Sequence, residues 1–328
     1  MVEGFREWEG EIGHAVRCER VTDDVDAWRA GRSTYVGASE ASAVLGVHPR
    51  KGPWAVWNAK INGEPSLDNL AIRRGRRREP LILQDAADLL GVPVFRAPWV
   101  LRHPDVHPLA CNLDGLVEVD GALCVVEAKW SGMHQAKSWR ILQEEGRPLA
   151  GSWVEMNWIQ VQTQLAVTGL AAGYLVAECD LDCFLIRVAR CEDTIRSILD
   201  AVATFWTAHV EARLEPPASG GDLQPLTDAH PHGEDGLEVE LGRDVAHAVK
   251  FYREAQQAER LAKATKDHHK ARIVQALGDA TAGILPDGDR ITWSNRSRKG
   301  TDWKALQADH PDIVKDYATT STWRSIRV

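Results

Sequence analysis

The sequence predicts a mixed α/β (α+β) fold, with a mixed central sheet flanked by helices and a small helical/β module after it. Three observations predict this. The stretch LDGLVEVDGALCVVEAKW holds two apolar runs joined by Asp120-Gly121, a dipeptide suited to the two left-handed positions of a tight hairpin turn. A second pair of apolar runs, AAGYLVAE and CFLIRVAR, reads as two further strands. Helical spacing surrounds these pairs: Ile82, Ala86 and Leu89; Trp158, Val161 and Leu165; and Ile195, Leu199, Val202 and Trp206 after the acidic start Glu192-Asp193. Strands and helices therefore interleave around one sheet.

The 328 residues suffice for one large domain and a smaller appendage, and a hydrophobic fraction of 44% supplies a core. Between Glu211 and Glu240 the chain turns rich in Pro, Gly and acidic residues and loses periodicity, as in EPPASGGDLQP and HPHGEDG. This places a main domain at 1–214, a linker at 215–240 and an accessory module at 241–328. In the module, Asp244 to Leu277 has the composition of a long solvated helix that Gly278 stops, and LPDGDRITW predicts a small β element.

The net charge of −8 has the wrong sign for a protein that coats nucleic acid indiscriminately, but the charge is unevenly spread. Residues 290–328 hold eight Lys/Arg against four Asp, and a second basic cluster, RRGRRRE, runs from Arg73 to Glu79. No apolar stretch is long enough for a membrane span, and MVEGFREWEGEIG lacks the order of a signal peptide, so a cytoplasmic location without membrane partners is expected. The six cysteines are scattered and form no CxxC pair, which predicts reduced thiols and no iron–sulfur cluster. His230/His232 and His268/His269 lie in linker and polar helix and read as non-ligands.

Chemistry concentrates on Val125-Val126-Glu127-Ala128-Lys129. With a side-chain period of two, Glu127 and Lys129 share a face of this strand, and Val126 and Ala128 take the other. Asp114 stands on the preceding strand, across the tight turn, where hairpin pairing can bring the two carboxylates together. Two converging hard-oxygen anions suit Mg²⁺ or Mn²⁺, and the neighbouring ammonium can orient a water. An isolated ExK is usually an ordinary salt bridge at a sheet edge. On a strand this apolar, beside a further acid, the charges are costly unless paired or bound to metal. Glu79 falls on the helical face of Ile82, Ala86 and Leu89 and is expected to point at the core; its alternative is a helix-dipole glutamate in a first turn beside Pro80. Arg73, Arg74, Arg76, Arg77 and Arg78 abut Glu79 and suggest a phosphate-binding rim, against the alternative of a solvated face. Most of the 13 tryptophans, such as Trp54, Trp57 and Trp158, are at helical spacing and read as core.

In this order and spacing the motifs resemble the D…ExK pattern of the PD-(D/E)XK nucleases and, within them, the YqaJ-like viral recombinases related to lambda exonuclease. GASEASAVLGVHPRKGPWAVWNAK resembles the family's opening motif, GRRREPLI places Glu79 at its helix glutamate, ACNLDGLV gives Asp114, VVEAK gives Glu127 and Lys129, and IQVQTQLAVTG gives Gln160 and Gln164. The tail from ITWSNRSRKG to STWRSIRV is similar to its C-terminal signature. Two departures stand out: Asn112-Leu113 replaces a Ser-Pro type pair before the Asp, and Gln164 takes a place that often holds Tyr.

The resemblance implies a restriction-endonuclease-like core. It implies one or two Mg²⁺ or Mn²⁺ ions held by Asp114, Glu127, the backbone carbonyl of Ala128 and, directly or through water, Glu79. It implies that Gln160 positions Lys129 or the scissile strand, that Gln164 lies at the DNA, and that Arg32 with Ser39 holds a 5′ phosphate by a guanidinium fork and a hydroxyl. Solvated surface roles are the alternatives for Arg32 and both glutamines. The implied activity is 5′-to-3′ exonucleolysis of linear double-stranded DNA in phage-type recombination, with a single-strand annealing protein as partner and a homo-oligomer as the working form. No GxxxxGK[ST] is present, so no ATP requirement is expected. A structure-specific endonuclease or junction resolvase on the same core, and a catalytically silent DNA-binding scaffold, remain the alternatives.

Overall fold

The computed structural model describes residues 5–21, 24–63, 70–320 and 323–326, and the chain divides into two compact units, Met1–Ala229 and His230–Val328. In chain order the first unit contains β1 (Val16–Arg20), α1 (Val25–Arg32), β2 (Val36–Gly37), a 3₁₀ turn (Ala38–Glu40), α2 (Ala41–Val44), α3 (Pro53–Asn62) and α4 (Leu70–Leu90). Then come β3 (Val94–Arg102), β4 (Leu109–Val119), β5 (Ala122–Ser131), α5 (Ala136–Glu145), α6 (Trp153–Thr168), β6 (Ala172–Cys179), β7 (Asp182–Ala189), α7 (Glu192–Phe205) and α8 (Leu223–Ala229). The second unit holds α9 (Arg243–Leu277), the hairpin β8 (Ala282–Ile284) and β9 (Arg290–Thr292), and two short helices, α10 (Trp303–Asp309) and α11 (Pro311–Asp316). Among the described residues no helix is long and apolar enough to cross a membrane.

The first unit is built on a mixed sheet in the order β1-β3-β4-β5-β6-β7, with β2 added in parallel to β4. Asp120 and Gly121 both take positive φ, as the two-residue β4–β5 turn requires. The β5–β6 pair is parallel, so the chain must cross over, and α5 and α6 fill that crossover. One face of the sheet packs Val125, Leu113 and Leu116 against Val161 and Leu165 of α6. The other packs Val126 and Val117 against Ile82, Leu83 and Ala86 of α4. Ser152 caps α6 by accepting from the Glu155 amide, and left-handed Gly169 ends it. Burial on nearly every side explains why α6 carries little amphipathic signal.

Between β3 and β4 the register slips: Phe95 pairs with Leu116, but Ala97 pairs with Leu113. Asp114 and Gly115 together oppose Arg96, which makes a β-bulge. Leu113 and Leu116, three residues apart, consequently face the same core. Gly115 is needed here because a Cβ would lie 2.7 Å from Val94 Cγ1.

Three expectations change. Pro80 lies inside α4, not in its first turn, which removes the helix-dipole reading of Glu79. Glu79 is not turned to the core; Leu83 joins Ile82 and Ala86 in the buried stripe, Leu89 is 55% exposed, and the Glu79 side chain is 32% exposed. The stretch expected to be linker from 215 packs instead with the first unit as far as Ala229. Asp222, fully buried, accepts from the backbone amides of Gly52 and Ala55 at 2.9 Å and of Ser219 at 2.9 Å. Its carboxylate thus satisfies the open N-terminus of α3, a long-range bond that composition does not signal.

A second buried acid holds the other end of α3 through Lys60. Glu40 is 2% exposed and receives Lys60 Nζ at 2.8 Å, Arg32 Nη2 at 3.0 Å and the Gly37 amide at 2.8 Å, with Lys51 Nζ at 3.7 Å. Burial alone would raise its pKa, but Arg32, Lys60 and Lys51 outweigh burial and hold it well below the usual carboxylate range. Removing such a partner leaves buried cations uncompensated, so Glu40→Gln should lower the unfolding free energy of the unit by roughly 3–5 kcal/mol. Because the folded-state value is the depressed one, this stabilisation is present above about pH 4.5 and drains away on acidification below it. Denaturant titrations at neutral and acid pH check both points, and equal stability of the two proteins at neutral pH would refute them. Asp222→Ala should cost roughly 2 kcal/mol in the same assay, with Asp222→Asn milder, as expected for a charged cap.

Candidate active site

The β4–β5 ladder sets Gly115 opposite Val126, so the next position brings Asp114 beside Glu127. There the backbone ladder gives way to a side chain: Asp114 Oδ2 accepts the Ala128 amide at 2.9 Å. The bulge turns this carboxylate inward, and the alternation of β5 places Glu127 and Lys129 on the face covered by α6.

Glu127 is 1% exposed and is held by three donors. Lys129 Nζ lies 2.6 Å from Oε1, Gln160 Nε2 donates to Oε1 at 2.6 Å, and Gln164 Nε2 donates to Oε2 at 2.6 Å. Lys129 Nζ also donates to Gln160 Oε1 at 3.1 Å, so Gln160 bridges the acid and the amine. Burial by itself would lower the Lys129 pKa, but Glu127 and Asp114 raise it, and the ammonium stays charged. Asp114 is driven the other way. Burial first, then the charges of Glu127 and Glu79, push its pKa well above the ordinary value, against the pull of Lys129 and the Ala128 amide. Asn112 Oδ1 and Gln164 Oε1 are buried acceptors with no hydrogen-bond partner.

Glu79 enters from α4, and its Oε1 accepts Arg96 Nη1 at 2.8 Å. The same Arg96 nitrogen donates to the Asp114 carbonyl at 3.0 Å. Asp114, Glu127, Lys129, Gln160 and Glu79 therefore form one electrostatically connected group. Gln164 departs from expectation: it is fully buried and holds Glu127 and the Asn112 carbonyl, so it cannot lie at a DNA surface.

The remaining predicted residues fall into two further groups. Arg32 pairs with Glu40 and packs beside Gly37, at the turn whose exposed residue is Ser39. With Lys60 it lines a cavity of about 340 Å³ together with Ala30, Ser33, Ala59, Ile61 and Gly63. Arg32, Lys51 and Lys60 face the single negative charge of Glu40, which leaves the cluster cationic. Arg73, Arg74, Arg76, Arg77 and Arg78 are exposed on the first turns of α4, and Arg78 forms an ion pair with Glu178 of β6. Sequence reasoning gave no role to three participants, of which Glu40 and Lys60 lay within the opening motif it had marked. Arg96 sits in an ordinary strand run and Lys60 at the end of an apolar helix, without a local signal for either. Glu40 had one available signal, an acid alone within the small-residue run GASEASAV.

As to what could hold a metal, no group of three or more His, Cys, Asp or Glu side chains among the described residues is arranged as a metal shell. Magnesium does not need one, because it is commonly bound by one or two carboxylates and keeps several waters. Asp114 and Glu127, crowded acids beside two unpartnered acceptor oxygens, fit that requirement.

Residues 27–171 match the family model described as the YqaJ-like viral recombinase domain. The chain is 22% identical over 297 residues to the protein YqaJ of Bacillus subtilis (strain 168), spanning 88% of this chain and 89% of that one. Among solved structures it is similar to an alkaline exonuclease, LHK-Exo, from Laribacter hongkongensis, at 21% identity and a TM-score of 0.45, over 62% of this chain and 98% of that one. The same enzyme in complex with dAMP gives 22% identity and a TM-score of 0.46, over 62% and 97%. A phage-related exonuclease from Haemophilus somnus 129PT gives 11% and 0.41, over 55% and 96%. The matched segment runs from α1 to the end of α6 and includes Glu79, Asp114, Glu127, Lys129 and Gln160, so the part of the chain that carries the candidate site is the part similar to the YqaJ-like viral recombinase domain.

Proposed function

We propose that this protein is a metal-dependent deoxyribonuclease that degrades linear double-stranded DNA from the 5′ end in phage-type recombination. The observation that carries the reading is the convergence of Asp114, Glu127 and Lys129 at the bulged end of one hairpin. Asp114, Glu127 and the Ala128 carbonyl would hold Mg²⁺ or Mn²⁺, with Glu79 close by. When bound, the ion would supply positive charge against the scissile phosphate and acidify a water.

The chain's own residues do the rest. Gln160 and Gln164 fix the two Glu127 oxygens, which leaves that carboxylate little rotational freedom. Lys129, held between Glu127 and Gln160, presents a fixed ammonium that orients the attacking water or balances charge on the phosphate. The cationic cavity at Arg32 and Lys60 suits a terminal phosphate, and the α4 arginines suit backbone phosphates farther along the duplex. A single-strand annealing partner and a homo-oligomeric working form belong to the same reading.

Asp114→Ala should abolish Mg²⁺-dependent degradation of linear duplex and keep DNA binding; an unchanged digestion rate removes Asp114 from the mechanism. Gln160→Ala, which loosens both Glu127 and Lys129, should reduce turnover roughly 10–100-fold, the usual effect of losing a partner that orients the functional groups. Comparing 5′-phosphorylated with 5′-hydroxyl linear duplexes, with and without Mg²⁺, tests the end preference. Cleavage of closed circular DNA would replace exonuclease by endonuclease.

A further inference from the structure

Arg96 is the residue that the sequence left unmarked and the geometry does not. Its Nη1 bridges the Glu79 carboxylate at 2.8 Å and the Asp114 carbonyl at 3.0 Å, linking α4 to the bulge of β4. An ion pair with both side chains about a third exposed contributes little to stability. The bridge is therefore a weak staple for the fold. It acts on geometry: Glu79 stands on a partly open helix face, and the Arg96 guanidinium is the group that ties its carboxylate to the Asp114 backbone.

Arg96 is itself braced from below. Its amide donates to the Arg6 carbonyl at 2.8 Å, and its carbonyl accepts the Trp8 amide at 2.8 Å, in a parallel bridge between Glu7 and Arg96. The Phe5 ring lies 5.5 Å from the guanidinium carbon, and Trp8 packs edge-on against Phe95 at 5.3 Å. Both backbone groups and one face of the guanidinium are thus tied to residues 5–8. We propose that Arg96 is a positioning residue that fixes Glu79 toward Asp114, and that the segment Phe5–Trp8 is the brace that sets Arg96. The activity readout of this inference rests on the nuclease reading; the binding readout does not.

The test is a double-mutant cycle on the full chain with Arg96→Met, Glu79→Gln and both together. It is read by kcat and KM on linear duplex with Mg²⁺, and independently by Mn²⁺ titration calorimetry without DNA. Each single change should lower kcat and Mn²⁺ affinity about 10–100-fold with KM for DNA nearly unchanged. The double variant should be no worse than the worse single one, because the two residues act through one contact. Phe5→Ala should give a smaller loss in wild type and none in the Arg96→Met background, and Arg96→Lys should restore part of the function. Losses that multiply, or a silent Glu79→Gln, overturn the proposal. Should Arg96→Met fail to fold, the Phe5→Ala, Arg96→Lys and Glu79→Gln combinations decide by the same criterion. Coupling across the cycle in Mn²⁺ binding, with a wild-type chain that digests no DNA, refutes the nuclease reading and leaves Arg96 in place.

Discussion

The bond from the Ala128 amide to Asp114 Oδ2 is the contact on which the site depends. A regular ladder would have satisfied that amide with a backbone carbonyl and turned Asp114 according to the alternation of its strand. The bulge inserts one residue, and a side-chain carboxylate takes the place of the backbone acceptor. Two consequences follow together: the carboxylate that hairpin register sets beside Glu127 is turned inward, and the Asp114 carbonyl becomes available to Arg96. Gly115 permits this because the strand passes too close to Val94 for any side chain.

The crossover then determines what surrounds the acids. Parallel pairing of β5 with β6 obliges the chain to return over one face, and α6 is the helix that returns. Glu127 and Lys129 point to that face, so α6 must present polar groups at two places within an otherwise buried helix. Gln160 and Gln164, one turn apart, meet the two oxygens of one carboxylate. Amide donors satisfy Glu127 without cancelling its negative charge, as the proposed metal site would need.

Local signals carried most of this, and the limits are also local. The Asp120-Gly121 turn fixed the hairpin register, and register brought Asp114 to Glu127 without any long-range information. The period of two put Lys129 with Glu127. Assignments that depended on distant packing fared less well. Spacing with Ile82, Ala86 and Leu89 put Glu79 at the core, but the stripe of α4 that meets Val117 and Val126 of the sheet is Ile82, Leu83 and Ala86, and Glu79 lies off it. Gln164 read as a surface glutamine because nothing in IQVQTQLAVTG reveals that every side of the helix is covered. Asp222 read as linker because Pro, Gly and Asp mark irregular backbone whether that backbone hangs free or caps a helix some 170 positions away.

The same division explains how the unit can hold a cluster of acids at all. Glu40 and Asp222 are buried acids that are fully answered, one by three cations and the other by backbone amides, and both act as fasteners. Asp114 is half-buried and answered only in part: one amide and one shared ammonium stand against two neighbouring carboxylates, and its pKa rises accordingly. A fold selected only for stability would replace such a group with an apolar residue or add a cation beside it. The deficit sits at the meeting point of β4, β5, α4 and α6, whose backbones are fixed by the bulge, the tight turn and the capped crossover helix. Negative charge held there by a rigid frame is what the proposed metal-dependent chemistry would draw on.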